Sequence, residues 1–436
     1  MAIRNPLRRQ PPALSPVPLG AVLRGLGAFM PLVGDARDRL TELLAEEYGA
    51  DRVELLGSGT QALTRAIRWA VVESEARARG RRGIALPAYS CYDVASAAVG
   101  ALRDYGRGRE VSIRFYDLDP ETLSPDPESL RAVLAEGVDV LVLAPLFGLP
   151  VRWDVVDEVL TEFGGREGGI VVVEDAAQGF GGAWDGRPIG SEGQLSVLSF
   201  GRGKGWTGSG SGGALLRRSV AGAGAGEASP QRPISSRVPD GERGGRVLSA
   251  RPGSGIGALG SAGALWGLSR PSVFGIPHAL PFLELGETHY REPRTPFAMP
   301  EVTAALVLGA RRAALAAVEV RQAVAREYDE KLAARGVEGR VRSHAGRAGF
   351  LRYPLRLKGG MGAFVSPERA LRLGAAPGYP RALPHLKEVA LHLEADEGRK
   401  RWPGAAELVD RLVTLPTHPR TRGSEREGLV GLIPGG

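Results

Sequence analysis

Cysteine is almost missing from this 436-residue chain: Cys91 stands alone, which excludes an intramolecular disulfide and any zinc site built on thiolates. That usage fits a reducing compartment, so the cytoplasm is the expected location. No run of about eighteen apolar residues occurs, and no segment is expected to span a membrane. The six His show no metal-ligand spacing, and no metal centre is expected. The N-terminal MAIRNPLRRQPPALSPVPLGAVL begins like a signal peptide, but its prolines and Arg24 interrupt the apolar part. Residues 1–34 therefore read as a Pro-rich arm that packs on a partner subunit or stays mobile. The formal charge of +7 is spread as Arg, without a block of like charge or a basic stripe interleaved with aromatics. That pattern argues against a nucleic-acid partner and leaves anionic substrates in play.

Lysine is the scarce cation, with 5 Lys against 51 Arg. Where Arg is the default, an amine marks a chemical need, because a guanidinium stays protonated whereas a desolvated lysine can lose its proton and attack a carbonyl. Lys204 follows an apolar run, LSVLSF, and enters a Gly-rich segment in which backbone can approach a ligand. Another apolar run, IVVVED, ends in Asp175. Two buried strands would thus each deliver a reactive side chain at a C-terminal end, where open α/β sheets bind ligands. In GSGTQ at 57–61, free backbone N–H groups at a helix start, with no side chain at Gly59, form an anion site. GSGTQA also fits a dinucleotide fingerprint, but Arg77 to Arg81 offer no ribose-binding acid at the required distance.

The chain alternates short apolar runs with helical patterns from DARDRLTELLAEEYG through RVELL, GIALP, VSIRFYDLD, VDVLVLAPLFG and GIVVVED. That rhythm predicts an α/β fold with a largely parallel sheet covered on both faces. LSVLSF and GGALLR have no helix between them, so an antiparallel member is expected there. Residues 217–290 break the rhythm and read as an irregular insertion within a large domain spanning 35–298. A long helical pattern from Met299 and a smaller α/β domain complete the chain over 299–436.

EDAAQ, the Gly-Ser of GRPIGS, SF with a Lys five residues after the Ser, GSGTQAL, PLFGLP at 145–150 and LPTHP at 415–419 occur in one order. Together they resemble the DegT-like (DegT/DnrJ/StrS-type) sugar aminotransferase family, well over 35–216 and more loosely over 297–430. The resemblance implies fold type I of the pyridoxal phosphate (PLP)-dependent transferases, with a mainly parallel seven-stranded sheet, a small C-terminal domain and a homodimer. It further implies PLP as cofactor, Lys204 as the Schiff-base lysine, an amino acid donor such as glutamate, and a keto-sugar acceptor linked to a nucleotide. Asp175 would keep the pyridine nitrogen protonated, since only a nearby negative charge holds so weak a base in that state. The implied cofactor contacts are Gly59, Thr60 and Gln61 at the phosphate, Ser199 beside it, and Gln178 near the ring. The aromatic that covers the ring in the family is replaced by Cys91; Tyr92 or Tyr89 stands in its place. The family's Asn-x-Arg loop is also absent, leaving Arg291 or Arg294 as substitutes. Other outcomes remain open: a PLP-dependent dehydratase or decarboxylase, or a non-catalytic PLP-binding protein. Relatives that deoxygenate carry His in place of the lysine, so Lys204 argues against the dehydratase.

Overall fold

Apolar segments bury both faces only inside a covered sheet, and this chain places seven strands in one sheet. The structure is a computed structural model that describes residues 8–28, 35–76, 83–103, 111–167, 169–219, 249–251, 253–278, 288–342, 346–393, 397 and 400–435. The first five strands are β1 (Arg52–Leu56), β2 (Gly83–Pro87), β3 (Ser112–Tyr116), β4 (Val140–Leu143) and β5 (Val171–Asp175). A small hairpin, β6 (Ala183–Trp184) with β7 (Arg187–Pro188), precedes β8 (Leu195–Ser199) and β9 (Gly213–Arg217). The sheet order is β1-β9-β8-β5-β4-β2-β3, and β9 is antiparallel to both neighbours while the other pairings are parallel. The mainly parallel, seven-stranded expectation holds, and β9 is the reversed member.

Helices α1 (Leu19–Gly27), α2 (Ala36–Tyr48), α3 (Gly59–Ala76), α4 (Tyr92–Arg103), α5 (Pro127–Ala135) and α6 (Trp153–Glu162) interleave with these strands. Their ends are written locally. Asp126 caps α5 by accepting from Ser129 N with Pro127 in the first turn, and Gly49 ends α2 at φ 61. Ala62, Leu63, Ala66, Ile67 and Ala70 give α3 one fully buried stripe. Each Leu or Ile there contributes roughly 1.5–3 kcal/mol by leaving water. Because β2 leads outward to β3 while β4 returns on its other side, a crevice opens at the C-terminal ends of β2 and β4.

The later part of the chain and the arm depart from expectation in two places. Residues 220–248, 252 and 279–287 of the insertion lie outside the described residues, but the described part carries two helices, α7 (Ser254–Leu268) and α8 (Gly275–His278). The long helix α9 (Glu301–Ala334) is as foreseen. It leads to a small antiparallel sheet of β10 (Tyr353–Arg356), β11 (Ala376–Pro377) and β12 (Leu412–Leu415) with α10 (Pro367–Arg372), α11 (Pro403–Arg411) and α12 (Gly423–Gly431). The arm is the second departure, since residues 8–17 pack on their own chain: Arg8 pairs with Glu425 at 2.6 Å and Gln10 N donates to Arg372 O at 2.9 Å. Polar partners hundreds of residues away hold it there, and nothing local announces them.

Candidate active site

The N-terminus of α3 forms one wall of a cleft with about 430 Å³ of empty space. Ser58 Oγ accepts from Gln61 N at 3.2 Å and so caps the first turn, leaving the amides of Gly59 and Thr60 at the cleft. A Cβ at Gly59 would lie 2.6 Å from Ser199 Cβ, so only glycine lets the turn meet the end of β8. Ser199 also lines the cleft, which places a hydroxyl opposite amides backed by a helix dipole.

Asp175 ends β5, and the same cleft receives it together with Lys204, Gln178, Ser90, Cys91 and Asp93. Burial pushes the Asp175 carboxyl up to about 6, against the opposing pull of the Lys204 charge and of Ala177 N, which donates to Asp175 Oδ1 at 3.2 Å. Glu174 takes the other face of the strand and accepts from Gly190, Glu192 and Gly193 amides at 2.8, 3.1 and 3.2 Å. The Lys204 turn is held from behind: Ser15 Oγ lies 2.6 Å from Lys204 O and 2.7 Å from Gly205 O. Gln178 is held at both ends of its amide, accepting from Phe147 N at 3.1 Å and donating to Tyr379 Oη at 2.8 Å.

Two expected cofactor contacts fall outside this cleft. Gln61 points to the back of α3, where Nε2 donates to Thr295 O at 3.3 Å and Oε1 accepts from Phe297 N at 3.4 Å. Tyr92 is buried with Arg381 beside its hydroxyl, and Cys91 takes the cleft position instead, its thiol pushed up to about 12 by burial. Tyr89 is a core residue whose hydroxyl accepts from Tyr379 N at 2.7 Å. Arg291 and Arg294 are exposed and line neither cavity described here. Trp206 is packing, with Nε1 donating to Val307 O at 2.8 Å. Among the described residues no His, Cys, Asp and Glu cluster suits a metal. Sequence reasoning missed Ser90 and Asp93; their only signal was the segment LPAYSCYD that also holds Cys91.

A second, larger cavity with about 1860 Å³ of empty space shares Gln178 and Lys204 with the cleft. The small domain contributes Leu351, Arg352 and Tyr379, and the arm contributes Pro11 to Ser15. Concave spaces with a few convergent polar groups are where small ligands bind.

Residues 26–223 match the DegT/DnrJ/EryC1/StrS aminotransferase family. A stretch of 157 residues is 31% identical to the L-glutamine:2-deoxy-scyllo-inosose aminotransferase of Streptomyces lividus, covering 36% of this chain and 33% of that protein. Curated relatives are matched over 17% to 43% of their own length. The fold extends further. It superposes on the sugar aminotransferase CalS13 from Micromonospora echinospora with a TM-score of 0.67 at 20% identity, over 97% of this chain and 98% of that one. It likewise matches the Escherichia coli GDP-4-keto-6-deoxy-D-mannose-3-dehydratase with bound hydrated PLP, with a TM-score of 0.67 at 14% identity, over 98% and 100%. This chain therefore shares the fold of these two proteins, a mainly parallel seven-stranded sheet with helices and a smaller C-terminal unit.

Proposed function

We propose, on the premise that residues 26–223 belong to the DegT/DnrJ/EryC1/StrS aminotransferase family, that this chain is a PLP-dependent aminotransferase. It moves an amino group from an amino acid, glutamate in our reading, to the keto group of a nucleotide-linked sugar. The observation that carries the reading is the meeting of Lys204, the Asp175 carboxylate and the α3 amides in one small cleft.

The residues fit the cofactor by their own chemistry. The hydroxyl of Ser90 is buried without a hydrogen-bond partner, and the cradle at Gly59 would be filled by any side chain. Gly59 and Thr60 amides with the Ser199 hydroxyl would hold the phosphate, Asp175 would pair with the ring nitrogen, and Gln178 would lie near the ring. When bound, PLP supplies an aldehyde that exchanges an amino group and a ring that draws electrons away from the reacting carbon. Lys204 Nζ would hold the cofactor and would serve as the base and acid that takes a proton from the reacting carbon and returns it. A cation held against Asp175 would lower its carboxyl from the position near 6 that burial gives it, and so would favour the carboxylate. Likeness to a dehydratase keeps deoxygenation as the second reading, with Lys204 against it.

The chain works as a homodimer in this reading, because α1 and α7 expose Leu23 at 57% and Ile256 at 69%. We assign it to the cytoplasm, where Cys91 stays reduced. Borohydride reduction of the purified protein and peptide mass mapping test the central claim. A pyridoxyl adduct on the peptide bearing Lys204, absent in Lys204→Arg, is expected; an adduct elsewhere, or none, overturns it. A loss of the lysine-bound absorbance on adding glutamate separates a transaminase from a silent binder.

A further inference from the structure

The wall of the larger cavity is one-sided in charge. Arg202, Lys204, His289 and Arg352 line it, and among the described residues no Asp or Glu does. Such a surface in a partly enclosed space attracts anions. Arg202 is exposed, whereas Arg352, in the bend before β10, is part-buried with its Nε shut off from solvent and without a hydrogen-bond partner. Burial pulls the Arg352 guanidinium down to about 10, and the groups that face it are two phenols, Tyr379 and Tyr89.

Other buried arginines in this molecule serve structure, and their bonds show it. Arg321, fully buried, donates to Leu14 O at 2.9 Å and to Ser15 Oγ at 2.7 Å. Arg218 donates to the carbonyls of Tyr48 and Gly193 at 3.0 and 2.7 Å and to Ser196 Oγ at 2.9 Å. Arg352 has no such bond and no ion pair among the described residues. A guanidinium withdrawn from water and left unpaired is costly, and the cost is recovered when a carboxylate meets its planar fork. Its position is precise for that role. Tyr379 joins it to Gln178, which faces both cavities, and Tyr89 can sit beside Tyr379 only because a Cβ at Gly378 would collide with the Tyr89 hydroxyl.

We propose that Arg352 is the receptor for a substrate carboxylate, on the inner wall of the larger cavity where it meets the Lys204 cleft. The inference rests on the aminotransferase reading only for the identity of that substrate, whose amino donor brings a carboxylate next to the reacting carbon. A sugar-acid acceptor would present the same chemistry. Calorimetric titration of the full-length protein as purified, with maleate and separately with glucuronate, tests it. Wild type is expected to bind at least one probe, Arg352→Gln to bind it about tenfold or more weakly, and Arg352→Lys to fall between, since a point charge replaces a fork. The probe that is lost tells donor from acceptor. Arg131→Gln, on the outer face of α5, serves as the control. The melting temperature of Arg352→Met without ligand should match or exceed that of wild type, because a binding group costs stability when empty. Absence of binding by wild type, equal binding by Arg352→Gln, or a large fall in the melting temperature of Arg352→Met overturns the assignment. Lys204→Arg should keep its probe binding, so failure of the lysine adduct and failure of Arg352 are read separately.

Discussion

Asp175 is the residue whose titration is most exposed to test. Its folded-state pKa, about 6, lies above that of a free Asp side chain, so the ionised form costs stability once the pH rises past that value. Well below it the carboxyl is protonated in both states and the cost vanishes. Asp175→Asn is therefore expected to melt a few degrees higher than wild type at pH 8 without cofactor, with the gain disappearing toward pH 4; scanning calorimetry across pH reads it. Added PLP should then stabilise wild type and not the variant. Gly59→Ala drives a methyl against Ser199, and absorbance titration should find PLP bound about tenfold or more weakly, the scale of losing one well-placed contact. Asp175, Gly59 and Ser199 were legible because each ends or begins an element whose pattern is plain in the sequence, and Lys204 because it follows such a strand by five residues. Ser90, Asp93 and Arg352 have ordinary neighbours along the chain, and their meaning comes from what faces them across the fold.

At the scale of elements, the arm and the lysine turn act as one unit. Ser15 Oγ serves the carbonyls of Lys204 and Gly205 while Arg321 of α9 donates to it at 2.7 Å. His418 Nε2 donates to Pro11 O at 2.9 Å and fastens the arm to the small domain. Ser15→Ala leaves a buried guanidinium and two carbonyls short of a partner, a cost of about 1–3 kcal/mol in unfolding free energy. The same variant should slow the growth of lysine-bound cofactor absorbance after PLP is added, which loss of stability alone at a permissive temperature would not do. The strands and helices of the large domain followed from alternation, as did the antiparallel β9 from a missing helix. The arm read as loose because prolines and polar residues carry no periodicity, and its bonds span the whole chain.

For the whole molecule, exposed Leu19, Leu23 and Leu26 on α1 and Ile256 on α7 form an apolar surface on helices that pack against each other and against α9. Light scattering is expected to give twice the chain mass of 46.0 kDa, and Leu23→Asp with Ile256→Asp to reduce it to one chain. A monomeric wild type removes the dimer from the proposal and leaves the cleft intact. By itself the sequence determined the α/β class, the run of strands in the large domain, the carboxylate at one strand end and the amine in the turn after another, because burial imposes periodicity and strand ends impose breaks that local chemistry must fill. Tertiary structure alone decided that Gln61 and Tyr92 turn from the cleft, that Cys91 faces it, and that Arg352 waits unpaired beside it. Side-chain direction depends on which element is packed behind, and an absent partner is visible only when every neighbour has been placed.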